Sequence, residues 1–126
     1  MLASRYRLRS NADFQRVRHE GKTWVHRLIV MSAAPNQRDC SRFGFAVSKR
    51  VGKAVVRNRV RRRMREVVRL KRHTIHSGWD LVFVARPLAA QATYVQIEQA
   101  VDDLIKRAGL RREIDERDRS DGVGSG

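Results

Sequence analysis

The stretch with the most chemical character is residues 55–69, VVRNRVRRRMREVVR, which holds seven arginines and a single acid, Glu66. Like charges four residues apart repel one another on a helix, so a helix of this composition needs an oppositely charged partner. The arginine guanidinium is a planar fork that suits bidentate contact with phosphate and stacking on bases. The stretch therefore predicts binding to a polyanion, and favours nucleic acid over a membrane surface.

The charge of the whole chain points the same way. The 126 residues include 28 Lys+Arg against 13 Asp+Glu, a net charge of +15, and 23 of the positive residues are arginine. Residues 49–72 carry twelve Lys/Arg with Glu66 as their only acid, whereas residues 113–126 carry five acids and two arginines. Charge placed so unevenly indicates a dedicated binding face.

Residues 56–72 separate an apolar side from a basic side when they are placed on a helical wheel. The apolar stripe consists of Val56, Val60, Met64, Val67 and Val68. The other side carries Arg57, Arg61, Arg65, Arg69 and Arg72, with Asn58 and Arg62 beside them. Residues four apart rise by about 6 Å along a helix, which is comparable to the phosphate spacing of a nucleic-acid strand. We therefore expect a helix that docks on a sheet and follows a backbone.

The turn before this helix, residues 49–53, adds three more cations and Gly52. It partly matches the phosphate-binding pattern GxxxxGK[ST]. Val47 stands where the first glycine should be, however, and Ala54 where the metal-binding hydroxyl should be. A nucleoside-triphosphate site is therefore not expected.

Side chains that could break bonds are few. A nuclease needs clustered carboxylates for metal ions or an acid–base pair in a pocket. Glu98 and Asp102 are four apart, but on the polar side of a predicted helix, and the single cysteine, Cys40, lacks metal-ligand spacing. The histidines are assigned to charge tuning or phosphate contact: His19, His26, His73 and His76. We expect no catalytic residue and no metal site in the protein.

Six elements are predicted to position these residues. They are a helix over 11–20 with Asn11 as its cap, strands over 23–35 and 41–48, the arginine-rich helix over 54–72, a strand over 79–87, and a helix begun by Thr93 and ended by Gly109. The order α-β-β-α-β-α predicts an α+β fold, a two-layer α/β sandwich with helices on one mixed sheet of four or fewer strands.

Residues 1–110 are expected to form one domain, followed by a charged, Gly/Ser-rich, disordered tail over 111–126. In the strand over 41–48, Phe43, Phe45 and Val47 share one face, and the small residues between them leave the other face smooth. No apolar run approaches the roughly 18 residues that span a membrane, and the N-terminus lacks the apolar stretch of a signal peptide. A cytoplasmic location is expected.

Residues 42–66, RFGFAVSKRVGKAVVRNRVRRRMRE, closely resemble the signature of the bacterial ribonuclease P protein subunit. The resemblance extends over residues 1 to about 110. It implies the small subunit of a ribonucleoprotein whose RNA, with Mg²⁺ held mainly by that RNA, removes the 5′ leader of precursor tRNA. It also implies a fold like that of ribosomal protein S5 domain 2, with a left-handed βαβ crossover, against the usual hand.

The resemblance assigns two groups of site residues. Contacts with the catalytic RNA are expected from Lys49, Arg50, Lys53, Arg57, Asn58, Arg59, Arg61, Arg62, Arg65 and Arg69. A cleft for the single-stranded leader is expected from Phe14, Arg18, Ser32, Gly44, Ala46 and Ser48. The partners implied are the catalytic RNA and precursor tRNA, with no small-molecule cofactor and no membrane.

Two residues of the cleft depart from the family pattern. The family often has a second aromatic where Arg18 stands, and a tyrosine where Ser32 stands. Base stacking is worth about 1–3 kcal/mol per aromatic, so leader contacts in this chain are expected to depend more on charge.

Two other functions fit the basic composition. One is a non-catalytic RNA-binding protein, such as a ribosomal protein or an RNA chaperone, which the ordered signature disfavours. The other is a sequence-specific DNA-binding protein, which needs base-reading side chains on a recognition helix and usually a dimer surface. Asn58 alone does not provide them.

Overall fold

The computed structural model describes residues 2–112, so positions 113–126 of the tail predicted over 111–126 lie outside the described residues. The helices are α1 (Asn11–Glu20), α2 (Ala54–Lys71) and α3 (Tyr94–Arg107), and the strands are β1 (Lys22–Val25), β2 (Ile29–Pro35), β3 (Arg42–Val47) and β4 (Trp79–Ala85). Four short 3-10 turns lie at Ser4–Tyr6, Lys49–Val51, Arg72–Thr74 and Pro87–Gln91.

The four strands form one mixed sheet in the order β1-β2-β4-β3. β2 pairs antiparallel with both β1 and β4, while β3 and β4 are parallel neighbours joined through α2. β4 is thus covered on both edges, as its continuous apolar sequence predicts. The α+β class and the mixed sheet are confirmed, and the left hand of the β3-α2-β4 crossover stays a prediction.

The single strand predicted over 23–35 is wrong, because the chain reverses within it. β1 and β2 form a hairpin in which the backbone N–H of His26 donates to the carbonyl of Ile29 at 2.9 Å. The His26 ring nitrogen Nδ1 accepts from the backbone N–H of Leu28 at 3.0 Å. The sequence does not reveal this turn, because the turn contains neither glycine nor proline and lies within a run of strand-forming residues. The observed order is α-β-β-β-α-β-α.

One face of the sheet packs against α2 and α3 and forms the main core. The α2 stripe is confirmed: Val60, Met64, Val67 and Val68 are fully buried, and Val56 packs beside them. Phe43 and Val47 of β3 join this core from the sheet. These two helices and the sheet make the predicted two layers.

The first helix, α1, lies on the opposite face of the sheet. Its Val17 is fully buried in a separate cluster with Leu8, Ala34 and Val82, and Phe14 packs against that cluster. Alternate residues of a strand point to opposite faces, so Ala34 and Val82 face away from the main core. The helices are therefore not all on one face, and α1 adds a partial third layer.

Side-chain caps fix where two of the helices begin. Ser10, and not the predicted Asn11, caps α1, because its Oγ accepts from the backbone N–H of Asp13 at 3.2 Å. Thr93 caps α3 as predicted, in a capping box with Gln96. Gly109 follows α3 with a positive φ of 72°, which suits a glycine at a helix end.

Candidate nucleic-acid interface

The arginines of α2 leave the helix in three directions. The outermost face presents Asn58, Arg62 and Arg69, which are exposed. A second row, half-buried, consists of Arg57, Arg61 and Arg65. A third pair, Arg59 and Arg63, turns toward the Pro87–Gln91 turn. The arginines of α2 therefore do not form one uniform basic face. The three groups differ in exposure and in the part of the protein that they approach.

The second row brings like charges together. Arg65 lies near Arg7 and Arg61, and burial followed by these two positive neighbours lowers the pKa of Arg65 below its ordinary value. Its Nε is buried and has no hydrogen-bond partner among the described residues. Repulsion and an unused donor are both relieved when an anion binds. The cluster of Arg7, Arg61 and Arg65 is therefore suited to a phosphate.

Arg7 was not predicted from the sequence as a site residue. It belongs to the N-terminal segment, which pairs with β3 through a bridge between Arg7 and Phe43. This pairing places the side chain near Arg65, 58 positions later in the chain. The signal that could have found it is the RYRLR pattern, whose alternating arginines suggest a short extended segment with a basic face.

The third pair holds the protein together. Nη2 of Arg59 donates to the carbonyl of Ala90 at 3.0 Å, and Nη1 of Arg63 donates to the carbonyl of Ala92 at 2.7 Å. These bonds fasten α2 to the turn that precedes α3. Arg59, which the resemblance places at the RNA, therefore has a structural use in the free protein.

Two other predicted contact residues are also tied within the protein. Arg69 forms an ion pair with Glu66 at 2.6 Å on the exposed face. Nε of Arg57 donates to the carbonyl of Gly52 at 3.1 Å and braces the turn before the helix. Both guanidinium groups keep further N–H donors, so an RNA contact is still available to each.

The N-terminal end of α2 is open to an anion. Lys49 and Arg50 are exposed on the 3-10 turn, and Lys53 precedes the helix without a side-chain cap. The first turn of α2 contains no acidic residue. Free backbone N–H groups and the helix dipole favour negative charge at such an end.

On the α1 face of the sheet, Phe14 lies against Gly44. A Cβ built on Gly44 would come within 2.6 Å of Cζ of Phe14, so the ring rests directly on the β3 backbone. Arg18 follows four residues later, on the same side of α1, and is exposed. Ala46 is the next β3 residue on this face and is half-buried.

Strand register identifies an accessible shelf beside Phe14. The row Val25, Val30, Val84 and Ala46 crosses all four strands. Val30, Val84 and Ala46 are half-buried, and Val25 is 53% exposed. We define the leader cleft by this row together with Phe14, Arg18 and the exposed Ser48. The three valines were not predicted, because register decides which residues share the row.

Ser32 does not line the leader cleft. It is only 5% exposed, and its Oγ shares a hydrogen bond with Oγ1 of Thr23 at 2.9 Å. Its row also contains Val82 and Gly44, which α1 covers. The position that aligns with a family tyrosine is thus used for strand pairing in the free protein.

A buried carboxylate fixes α1 to the sheet. Asp80 has no exposed surface and accepts hydrogen bonds from Arg42, at 3.0 and 2.7 Å, from Asn36 at 2.8 Å, and from Arg16 of α1. Burial by itself raises the pKa of Asp80, but the bonds from Arg42, Asn36 and Arg16 outweigh it and hold the pKa below its usual range. This cluster positions α1, and with it Phe14.

Residues 2–112 contain no group of three or more His, Cys, Asp or Glu side chains placed to hold a metal ion. Asp102, considered above for metal binding, instead lies 3.4 Å from Lys106 and 3.5 Å from Arg111. Nor is any described helix both long enough and apolar enough to cross a membrane.

Comparison with known proteins identifies the family. The family model for Ribonuclease P matches residues 2–109. The ribonuclease P protein component of Roseiflexus castenholzii is 51% identical over 106 residues, covering 83% of this chain and 87% of that protein. The protein component of Clostridium kluyveri is 42% identical, covering 83% and 96%.

Solved structures agree with the sequence relatives. The RNase P protein of Staphylococcus aureus has a TM-score of 0.79 at 33% identity, covering 85% of this chain and 98% of that one. The RNase P protein of Thermotoga maritima has a TM-score of 0.74 at 30% identity, covering 80% and 96%. With its basic α2 helix and mixed sheet, this chain belongs to the ribonuclease P protein family, the RNA-binding protein subunits of ribonuclease P in tRNA 5′ processing.

Proposed function

We propose that this subunit binds the ribonuclease P RNA through the second row of α2 and holds the 5′ leader of precursor tRNA in the leader cleft. The observation that carries the proposal is the cluster of Arg7, Arg61 and Arg65. Burial, together with the like charges of Arg7 and Arg61, lowers the pKa of Arg65, and its buried Nε lacks a partner in the described part of the chain. Within residues 2–112 no carboxylate is among the groups that shift the pKa of Arg65, so a phosphate supplies the negative charge that the cluster lacks.

The chain connects the two surfaces directly. After Ala46 of β3 the chain continues through Ser48, the last residue of the leader cleft. The basic turn Lys49–Val51 follows at once and leads into α2. A single strand on the shelf would therefore end close to the cations at the start of α2. This arrangement supports one continuous path for RNA, from the apolar shelf to the basic helix.

We propose that hydrolysis belongs to the RNA subunit and that the RNA holds the Mg²⁺ ions. Two acidic side chains among residues 2–112 are already engaged by other groups and fit Mg²⁺ poorly. Asp80 is buried under Arg16, Arg42 and Asn36, and Asp102 is shared by three cations. Mg²⁺ normally keeps several of its waters and is held by one or two carboxylates together with phosphates. In this division of labour the protein binds and orients the RNAs.

The test is reconstitution with precursor tRNA as substrate. The purified protein should cleave nothing alone, and it should restore efficient leader removal at low magnesium when it is mixed with its cognate ribonuclease P RNA. The RNA alone, at the same magnesium concentration, is the control. Metal-dependent removal of the leader by protein that is free of RNA would refute the proposal.

A further inference from the structure

A cavity lies at the end of the sheet away from the leader cleft. It has a volume of about 850 Å³, within the range of about 300–1,000 Å³ typical of small-ligand pockets. Its walls come from the N-terminal turn, the loop before β3, the turn after α2 and the segment after α3. None of the catalytic-RNA contacts and none of the leader-cleft residues that the resemblance assigns lies in it, but the basic residues Arg72, His73 and His76 do.

The lining of this cavity is strongly basic. Among residues 2–112, the lining includes four arginines and two histidines but only one acid: Arg5, Arg72, Arg111, Arg112, His73, His76 and Asp39. Among the described residues Arg5, Arg72 and Arg112 form no salt bridge, whereas Arg111 lies 3.5 Å from Asp102. The C-terminal end of α2 adds about half a negative charge, which the four arginines outweigh. The net field in the cavity favours an anion.

Tyr6 orients two of the arginines. The guanidinium carbon of Arg72 lies 4.0 Å from the centre of the Tyr6 ring, and that of Arg5 lies 5.0 Å from it. Cation–π contact holds a guanidinium over the ring while its N–H donors remain free to bond at the edge. Donors fixed in this way lose little entropy when they bind a phosphate.

Backbone hydrogen bonds hold the walls in place before any ligand arrives. The N–H of His76 donates to the carbonyl of Leu110 at 2.8 Å, and Oγ of Ser41 donates to the carbonyl of His76 at 2.7 Å. Ile75 and Arg111 form a bridge that carries the segment after α3 along the cavity. The cavity is therefore part of the folded structure, and not a gap between loose segments.

The arginine row of α2 leads to this cavity. Arg72 stands seven residues after Arg65 and on the same side of the wheel, about 10 Å further along the axis. A few nucleotides of a single strand cover that distance. An RNA bound at Arg61 and Arg65 can thus place its next phosphates at the mouth of the cavity.

We propose that this cavity is a second RNA-binding site, which takes a phosphate of a nucleotide through Arg5 and Arg72 as Tyr6 holds them. The inference rests on the proposed RNA contact of α2 and extends it to the far end of the helix. The phosphate belongs either to the ribonuclease P RNA or to precursor tRNA, and the two sources are separated by the RNA used as the probe.

The single cysteine provides a probe that needs no mutation. Cys40 lines the cavity and is half-buried. Its alkylation by iodoacetamide should slow by about tenfold when the cognate RNA is present at ten times its Kd, because only about one protein in eleven is then free. Parallel reactions contain ribonuclease P RNA, precursor tRNA or adenosine monophosphate. If adenosine monophosphate protects Cys40 and neither RNA does, the proposal is wrong.

Variants then distinguish RNA binding in the cavity from RNA binding along α2. Arg5→Gln with Arg72→Gln should make the slope of log K against log salt shallower by about 0.7–0.9 for each phosphate contact removed, and should abolish Cys40 protection even when RNA is bound through α2. Lys22→Gln with Arg27→Gln removes the same charge from exposed positions of the β1–β2 hairpin and should leave both measurements unchanged. If Arg61→Ala with Arg65→Ala weakens binding while the cavity variant has no effect, this inference fails and the proposed function stands.

Discussion

The ring of Phe14 rests on the backbone of Gly44, with no room between them for a side chain. A Cβ on Gly44 would lie 2.6 Å from Cζ and 2.7 Å from Cε1 of Phe14, and 3.1 Å from Cβ of Leu8. Glycine at this strand position therefore allows α1 to approach the sheet with an aromatic ring between them. The same contact sets the height of the ring above the shelf formed by Ala46 and Val84.

We expect Gly44→Ala to push the Phe14 ring out of its place. Inserting a methyl group into a packed site costs about 1–3 kcal/mol of folding free energy, and the ring can escape toward the leader cleft. Affinity for precursor tRNA should fall more than affinity for mature tRNA, which has no leader. Urea unfolding and binding to the holoenzyme measure the two effects. Gly109→Ala is a control, because it strains a positive φ of 72° at the end of α3 and leaves the ring in place.

Removing the ring tests the leader cleft directly. Phe14→Ala should reduce the affinity of the holoenzyme for precursor tRNA by about 1–3 kcal/mol, the value of one stacked base, and should leave mature tRNA almost unaffected. Phe14 is half-buried, so the loss of stability should be less than the roughly 3–5 kcal/mol of a fully buried phenylalanine. Equal losses for both tRNAs in a folded variant would show that Phe14 does not contact the leader.

Arg61 and Arg65 of the second row should bind RNA without supporting the fold. Arg61→Ala with Arg65→Ala is expected to weaken binding of the ribonuclease P RNA and to make its salt slope shallower by about 0.7–0.9 for each phosphate that is no longer neutralised. Stability should be unchanged or higher, because the burial and the like charges that lower the pKa of Arg65 no longer act on a cation. A salt titration and thermal unfolding test this, with Lys106→Gln and Arg107→Gln as the charge-matched control.

Arg63 is expected to behave in the opposite way. Its Nη1 donates to the carbonyl of Ala92 at 2.7 Å in a partly buried position, and a hydrogen bond from a charged group contributes about 1.5–3 kcal/mol. Arg63→Ala should therefore lower the midpoint of urea unfolding, while the salt slope of RNA binding stays the same. A shallower slope with full stability would instead place Arg63 at the RNA.

Local periodicity predicted those parts of the fold that depend on neighbouring residues. The apolar stripe that contains Val60 and Met64 follows from the 3.6-residue repeat, and the cap at Thr93 follows from its position before an apolar helix. The hairpin at His26 could not be predicted, because the turn contains no glycine or proline and strand-forming residues stand on both sides of it.

The candidate site likewise has a part that the sequence predicts and a part that it does not predict. The basic face of α2 is visible in the sequence because its residues are near one another in the chain. Burial of Ser32 and the approach of Arg7 to Arg65 depend on strand pairing between distant segments. A sequence pattern shows which residues can share a face, and register then decides which of them are covered.

Asp80 is also beyond prediction from the sequence, since its partners lie 38 to 64 positions away. Asp80→Asn should destabilise the protein by about 3–5 kcal/mol, the range for breaking a buried ion pair. The lower end is expected, because the side chains of Arg16 and Arg42 keep 30% and 17% of their exposure. Asp103→Asn, at an exposed pair with Arg107, should cost less than about 1 kcal/mol.

The pH dependence of unfolding tests the same cluster without changing its shape. The bonds from Arg42, Asn36 and Arg16 hold the pKa of Asp80 below its usual range in the folded protein, whereas the unfolded chain has a normal value of about 3.9. The contribution of Asp80 is thus fully present above the unfolded pKa and is lost as the pH falls through the folded one. Urea midpoints measured from pH 7 down to pH 3 should drop steeply below about pH 4 in the natural chain and less steeply in Asp80→Asn. Identical acid limbs for the two proteins would mean that Asp80 is not the carboxylate that fastens α1 to the sheet.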